Sequence, residues 1–139
     1  MSTFLDRVPC NATNKNSGEV AQSIFYAEVM KRGLTPLVTF GDNLPFDMVV
    51  YEEAGGRFVR VQIKSTHGRT RGRLKWTCGL GGKKRGYLPG EVDVFALHDF
   101  SSGDWYLVPT AELNGKISVS VGPKQKALTK WREAWSVFA

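Results

Sequence analysis

Residues 45–66, PFDMVVYEEAGGRFVRVQIKST, hold two short apolar runs joined by EEAGG. Apolar runs of strand length with a glycine joint predict an antiparallel hairpin. Within a strand, residues two apart point the same way. Gln62 and Lys64 therefore share a face, roughly 6.6 Å apart, with Val61 and Ile63 on the other. Pairing the runs through the turn carries Asp47 to the Gln62–Lys64 end, so an acid, an amide and an ammonium converge between strands that could have been wholly apolar.

The elements around the hairpin fit one domain, in which residues 1–16 are read as a flexible arm and 17–139 as the folded unit. NSGEVAQSIFYAEVMKRGL predicts an amphipathic helix capped at Asn16 or Ser17. Val20, Ile24, Ala27 and Met30 lie along one face, and Gly33 ends it. TPLVTF is a first strand, the hairpin supplies the second and third, and the nearly apolar third is expected to be central. RLKWTCGL is a short strand, with Trp76 in the core. VDVFALHDF and DWYLVPTAEL form a second hairpin around SSGD, and KISVSV is a further edge strand. KQKALTKWREAWSVF is expected to close the chain as a helix with Leu128, Trp131, Trp135 and Phe138 on one stripe. The fold class is α/β, a single domain with a mixed sheet flanked by helices.

The 139 residues suffice for one core, and no apolar run approaches a membrane span. No signal peptide is visible, and Cys10 and Cys78 read as free thiols, so a cytoplasmic, intracellular protein without membrane association is expected. Charge is unevenly placed. Residues 54–90 hold ten of the nineteen Lys and Arg and none of the thirteen acids, so this segment carries +10 and the remainder −4, giving the net +6. A one-sign surface of this kind favours a polyanionic partner, which here points to nucleic acid. Arg69, Arg71, Arg73, Lys75, Lys83, Lys84 and Arg85, interspersed with glycines directly after the third strand, are the candidate DNA contacts.

The converging polar group has its own chemistry. A carboxylate and a second oxygen ligand can hold a hard cation such as Mg²⁺, which keeps several waters and takes further ligands from substrate phosphate. A nearby lysine can orient water and offset transition-state charge, which is phosphodiester hydrolysis chemistry. His67, His98, Asp93 and Asp99 are read as structural.

PFD at 45–47, VQIK at 61–64 and a preceding helix opening GE and ending KRG together resemble the PD-(D/E)XK nuclease superfamily in its Q-x-K variant. The nearest resemblance is to small intron-encoded homing endonucleases, through the VDVFAL…WYLVP hairpin and WREAW; archaeal Holliday-junction resolvases are similar over the first half. The resemblance implies a restriction-endonuclease-like α-β-β-β-α-β core and Mg²⁺-dependent DNA cleavage. It makes Asp47 the metal-binding aspartate, Gln62 the replacement for a usual acidic ligand, Ile63 the main-chain carbonyl ligand and Lys64 the catalytic lysine. The helix acid of the family falls either at Gln22 or, one turn earlier, at Glu19. The expected function is homing-type double-strand cleavage by a homodimer or homotetramer. Resolution of branched junctions, or DNA binding by the same fold without efficient catalysis, stand as alternatives.

Overall fold

The computed structural model describes residues 14–41, 43–79, 85–88 and 90–139. Residues 1–13 of the expected arm, and Lys83 and Lys84, lie outside them. Helix α1 (Asn14–Lys31) is followed by β1 (Thr35–Val38), β2 (Met48–Glu52), β3 (Arg57–Thr66), β4 (Leu74–Thr77), β5 (Val94–Asp99), β6 (Trp105–Pro109) and β7 (Ser118–Val121). Five strands form a mixed sheet in the order β1-β2-β3-β5-β6, and β4 and β7 form a separate two-stranded ribbon. The hairpin pairs as expected, with Met48 opposite Val61, and β3 lies at the centre, parallel to β5. KISVSV thus contributes not an edge of the main sheet but the partner of β4.

Helix α1 ends where glycine permits it. Gly33 has φ +76°, its N–H donates to Met30 O, and Leu34 N–H donates to Val29 O, a pair of bonds that satisfies the last carbonyls. The buried stripe of the helix differs from the expected one. Ala21, Ile24, Phe25 and Val29 enter the core, whereas Val20 and Met30 are exposed. Rotating the helix this way puts Phe25, the bulkiest apolar side chain among these, against Trp105, Trp135 and Phe138. It also buries Glu28, whose carboxylate is held by Lys31 and Arg32.

The main sheet has a core on each face. On one, α1 covers Met48, Val50, Val59, Val61, Ile63 and Leu107. On the other, the ribbon and its loops cover Phe95, Leu97, Tyr106 and Val108 with Leu74, Trp76, Val119 and Val121. Trp76 is 1% exposed and its indole N–H donates to His98 O at 2.9 Å, so it is a core anchor.

The C-terminal segment is not one helix. It forms two 3₁₀ turns, Thr129–Trp131 and Trp135–Phe138, separated by Glu133 at φ +51°. Glu133 is recruited as a side partner of β6: its N–H donates to Trp105 O, and its carboxylate accepts Trp105 N–H at 2.7 Å. Satisfying that strand backbone outweighs helical continuity. Phe138 still reaches the α1 core, fully buried. Among the described residues no helix is long and apolar enough to cross a membrane.

Candidate active site

The site exists because β3 is longer than its neighbour. Strand β2 begins at Met48, opposite Val61, and Asp47 makes the last bond of that ladder, its N–H donating to Val61 O at 2.9 Å. Beyond Val61, β3 continues for five residues bonded only to β5 on its other side. Asp47 turns its side chain onto the edge so left open, and Oδ2 accepts Ile63 N–H at 2.9 Å. In a strand, one residue's N–H and C=O face the same edge, so the Ile63 carbonyl also faces the Asp47 side.

A cavity of about 680 Å³ opens there. Gln22 from α1, Asp47, Gln62 and Lys64 line it, and the loop through Thr39, Asn43 and Phe46 walls it. Four of the five positions expected from the sequence, Asp47, Gln62, Lys64 and the Ile63 backbone, come together at this edge, and the fifth, Glu19, does not line the cavity. Of the two helix candidates, Gln22 lines this cavity, and its side-chain amide is near enough to Asp47 to oppose the rise of its carboxyl. Glu19 is exposed and lines the adjoining hollow between α1 and β1 with Tyr26 and Val38.

Burial raises the Asp47 carboxyl above its ordinary 3.8, against the opposing effects of the Ile63 N–H, the Lys64 ammonium and the Gln22 amide. Lys64 is also close enough to Cys78 to oppose, without overcoming, the burial that pushes that thiol up to about 12. Cys78 is consequently a buried, protonated thiol and not a nucleophile. Tyr87, 7% exposed, lines the cavity too; burial first, and then the negative charges of Asp47 and Glu91, raise its phenol.

Among the described residues no three His, Cys, Asp or Glu side chains cluster as metal ligands. A donor set of one carboxylate, one amide oxygen and one main-chain carbonyl is nonetheless a hard-oxygen set, suited to a cation that draws its remaining ligands from water and phosphate.

The family model described as PD-(D/E)XK endonuclease matches residues 12–138. The chain belongs to that family. Among solved structures, a bacterial homing endonuclease aligns with a TM-score of 0.70 at 20% identity, over 91% of each chain, and so has the same fold. No curated protein sequence matches the chain.

Other lining residues of the endonuclease cavity were not legible beforehand. Glu91 is the first acid after the basic segment, and it takes Arg85 in a two-point contact of 2.8 and 3.1 Å while accepting Leu88 N–H. Arg85, expected as a DNA contact, therefore sits at the cavity wall paired to an acid. The spacing of Arg85 and Glu91 around GYLPG was the available signal. The other expected contacts spread out from there. Arg69, Arg71, Arg73 and Lys75 are exposed, with Arg71 at the tip of a turn at φ +53°. Arg69 lines a separate hollow with Tyr106, Lys126 and Arg132.

Proposed function

We propose that the protein is a Mg²⁺-dependent DNA endonuclease. The observation that carries this reading is the docking of a half-buried carboxylate, Asp47, on the open edge of β3 beside Gln62 and Lys64. Asp47, the Gln62 amide oxygen and the Ile63 carbonyl would hold the cation, which supplies charge for a phosphate and acidifies water. In the hydrolysis a water oxygen bonds to phosphorus, one P–O ester bond breaks, and the products are a phosphate monoester and a hydroxyl. Lys64 hydrogen-bonds and orients the attacking water and offsets charge on the phosphoryl oxygens. Ile63 N–H and the Gln22 amide fix the Asp47 carboxylate, so its geometry is set before substrate arrives.

One such site cuts one strand at a time, so double-strand cleavage takes two protomers or two events, and a homo-oligomer is part of the proposal. The basic segment provides the sequence-independent attraction to the duplex. A DNA-binding protein with weak catalysis is favoured by one observation: the cavity positions taken by Gln22 and Gln62 are amides, leaving Asp47 as the carboxylate on the β3 edge.

Plasmid, linear and four-way-junction DNA incubated with the protein in Mg²⁺ separate the readings. Discrete cuts in linear duplex, abolished in Asp47→Ala and Lys64→Ala, support the endonuclease. Cuts confined to the junction indicate a resolvase. Retained binding with no cut in any substrate overturns nuclease activity.

A further inference from the structure

The ribbon β4–β7 is the part of the molecule that the hydrolytic chemistry leaves unused. Its register pairs Lys75 with Ser120 and Thr77 with Ser118. The intervening side chains, Leu74, Trp76, Val119 and Val121, are all buried in the second core. By strand alternation the opposite face presents Lys75, Thr77, Ser118 and Ser120 outwards, and the first three are exposed and Ser120 half-buried. That face has no acid and no bulky apolar group, only short hydrogen-bonding side chains around a single cation.

From this we infer that the outer face of the β4–β7 ribbon enters the major groove of duplex DNA and reads base edges there. The inference rests on the endonuclease reading for the identity of the polyanion. Two strands about 5 Å apart make a ribbon that fits a groove about 12 Å wide. Hydroxyls on short stems let the ribbon backbone approach closely and can donate to or accept from any base edge, while lysine donates to guanine O6 and N7. Lys116, Lys124 and Lys126 line a groove of about 450 Å³ beside Ser118 and Ser120, with Glu112 at the same groove, and are placed to meet phosphates flanking the bases being read.

The ribbon is also rigidly tied to the catalytic edge. Trp76 donates its indole N–H to β5 and packs on Tyr106 at 5.5 Å. Cys78, directly after Thr77, bonds through its N–H to Ile117 O and lies within the electrostatic reach of Lys64. The ribbon is therefore fixed to the sheet that carries the catalytic edge, and recognition and cleavage would share one frame.

The test is enrichment of binding sequences from a duplex library with randomised positions, at fixed salt, using the full chain and its variants. The wild-type protein is expected to enrich a consensus. Lys75→Ala combined with Ser120→Ala should relax preference at two or three adjacent base pairs by about 10- to 100-fold. Lys124→Ala should instead keep the consensus, weaken binding to all sequences and reduce the salt slope by about 1. A wild-type protein that enriches no sequence, or a double variant that enriches the wild-type consensus undiminished, overturns the inference. A consensus that depends on Lys75 and Ser120 but is never cut in Mg²⁺ supports the ribbon while breaking the nuclease reading.

Discussion

Two carboxylates dock on the backbone of the same central strand, and their charges are handled in opposite ways. Asp93 Oδ2 accepts Arg60 N–H at 2.8 Å, and Asp47 Oδ2 accepts Ile63 N–H at 2.9 Å. The Arg60 guanidinium also holds Asp93 at 2.8 and 2.9 Å, and this bond keeps the Asp93 carboxyl below its ordinary 3.8. Asp47 has the amide of Gln22 where Asp93 has a guanidinium, and burial raises it. Both receive a strand N–H, so the backbone bond does not decide the outcome; the counter-charge and the solvent do. Asp93 closes a structural joint between β3 and β5, whereas Asp47 is a half-buried charge whose compensation the protein itself leaves incomplete, as suits a group meant to meet a cation and a phosphate.

Exchanging each carboxylate for its amide should separate these roles. Asp47→Asn should lower the rate of plasmid cleavage on the order of 10³-fold, the scale of several kcal/mol of lost transition-state stabilisation. It should leave the fold intact, because an amide oxygen can still accept the Ile63 N–H. Asp93→Asn should leave cleavage within a few-fold and instead cost about 1 kcal/mol of stability, since the ion pair is partly exposed and screened. Single-turnover cleavage and urea melts on both variants test the contrast, and a comparable loss of cleavage in Asp93→Asn would erase the distinction between joint and site.

A smaller effect concerns the amide ligand. Gln62→Glu adds a second carboxylate to the β3 edge and should tighten Mg²⁺ about 10- to 100-fold in titration calorimetry without DNA. Cleavage should be kept or raised. A folded Gln62→Glu protein that binds the metal no better would remove Gln62 from the ligand set.

The sequence made the hairpin and its polar end legible because strand alternation and register are local properties: once Met48 pairs with Val61, Asp47 must lie near Gln62. The nearly apolar run of β3 likewise marked it as central. The helix was harder, since its period allows several apolar stripes, and only packing against Trp105 and Phe138 selects the one through Phe25. The C-terminal break at Glu133 depends on the edge-strand backbone of Trp105, a partner 28 residues away that no window of the local sequence contains. Gln22 against Glu19 is the same problem at one turn's scale: both lie on the β1 side of α1, and the tilt of the helix puts Gln22 in the cavity with Asp47.

The least conspicuous consequence of the comparison is in how stability changes with pH. Above 3.8 and up to its raised folded value, Asp47 holds more protons in the native than in the unfolded state, so stability falls as pH rises through that window. Asp93 does the reverse: its depressed folded value makes the native state bind fewer protons just below 3.8, so its contribution is present above that value and is lost as pH falls through the folded one. Denaturant midpoints from about pH 3 to pH 7 should therefore diverge in opposite senses for the two amide variants. The advantage of Asp47→Asn over wild type should grow as pH rises above 3.8 and vanish below it. The deficit of Asp93→Asn should be constant at neutral pH and shrink on acidification below 3.8. Curves that stay parallel to wild type for Asp47→Asn would mean that the site already neutralises its own carboxylate, and would leave no unmet charge for a cation to satisfy.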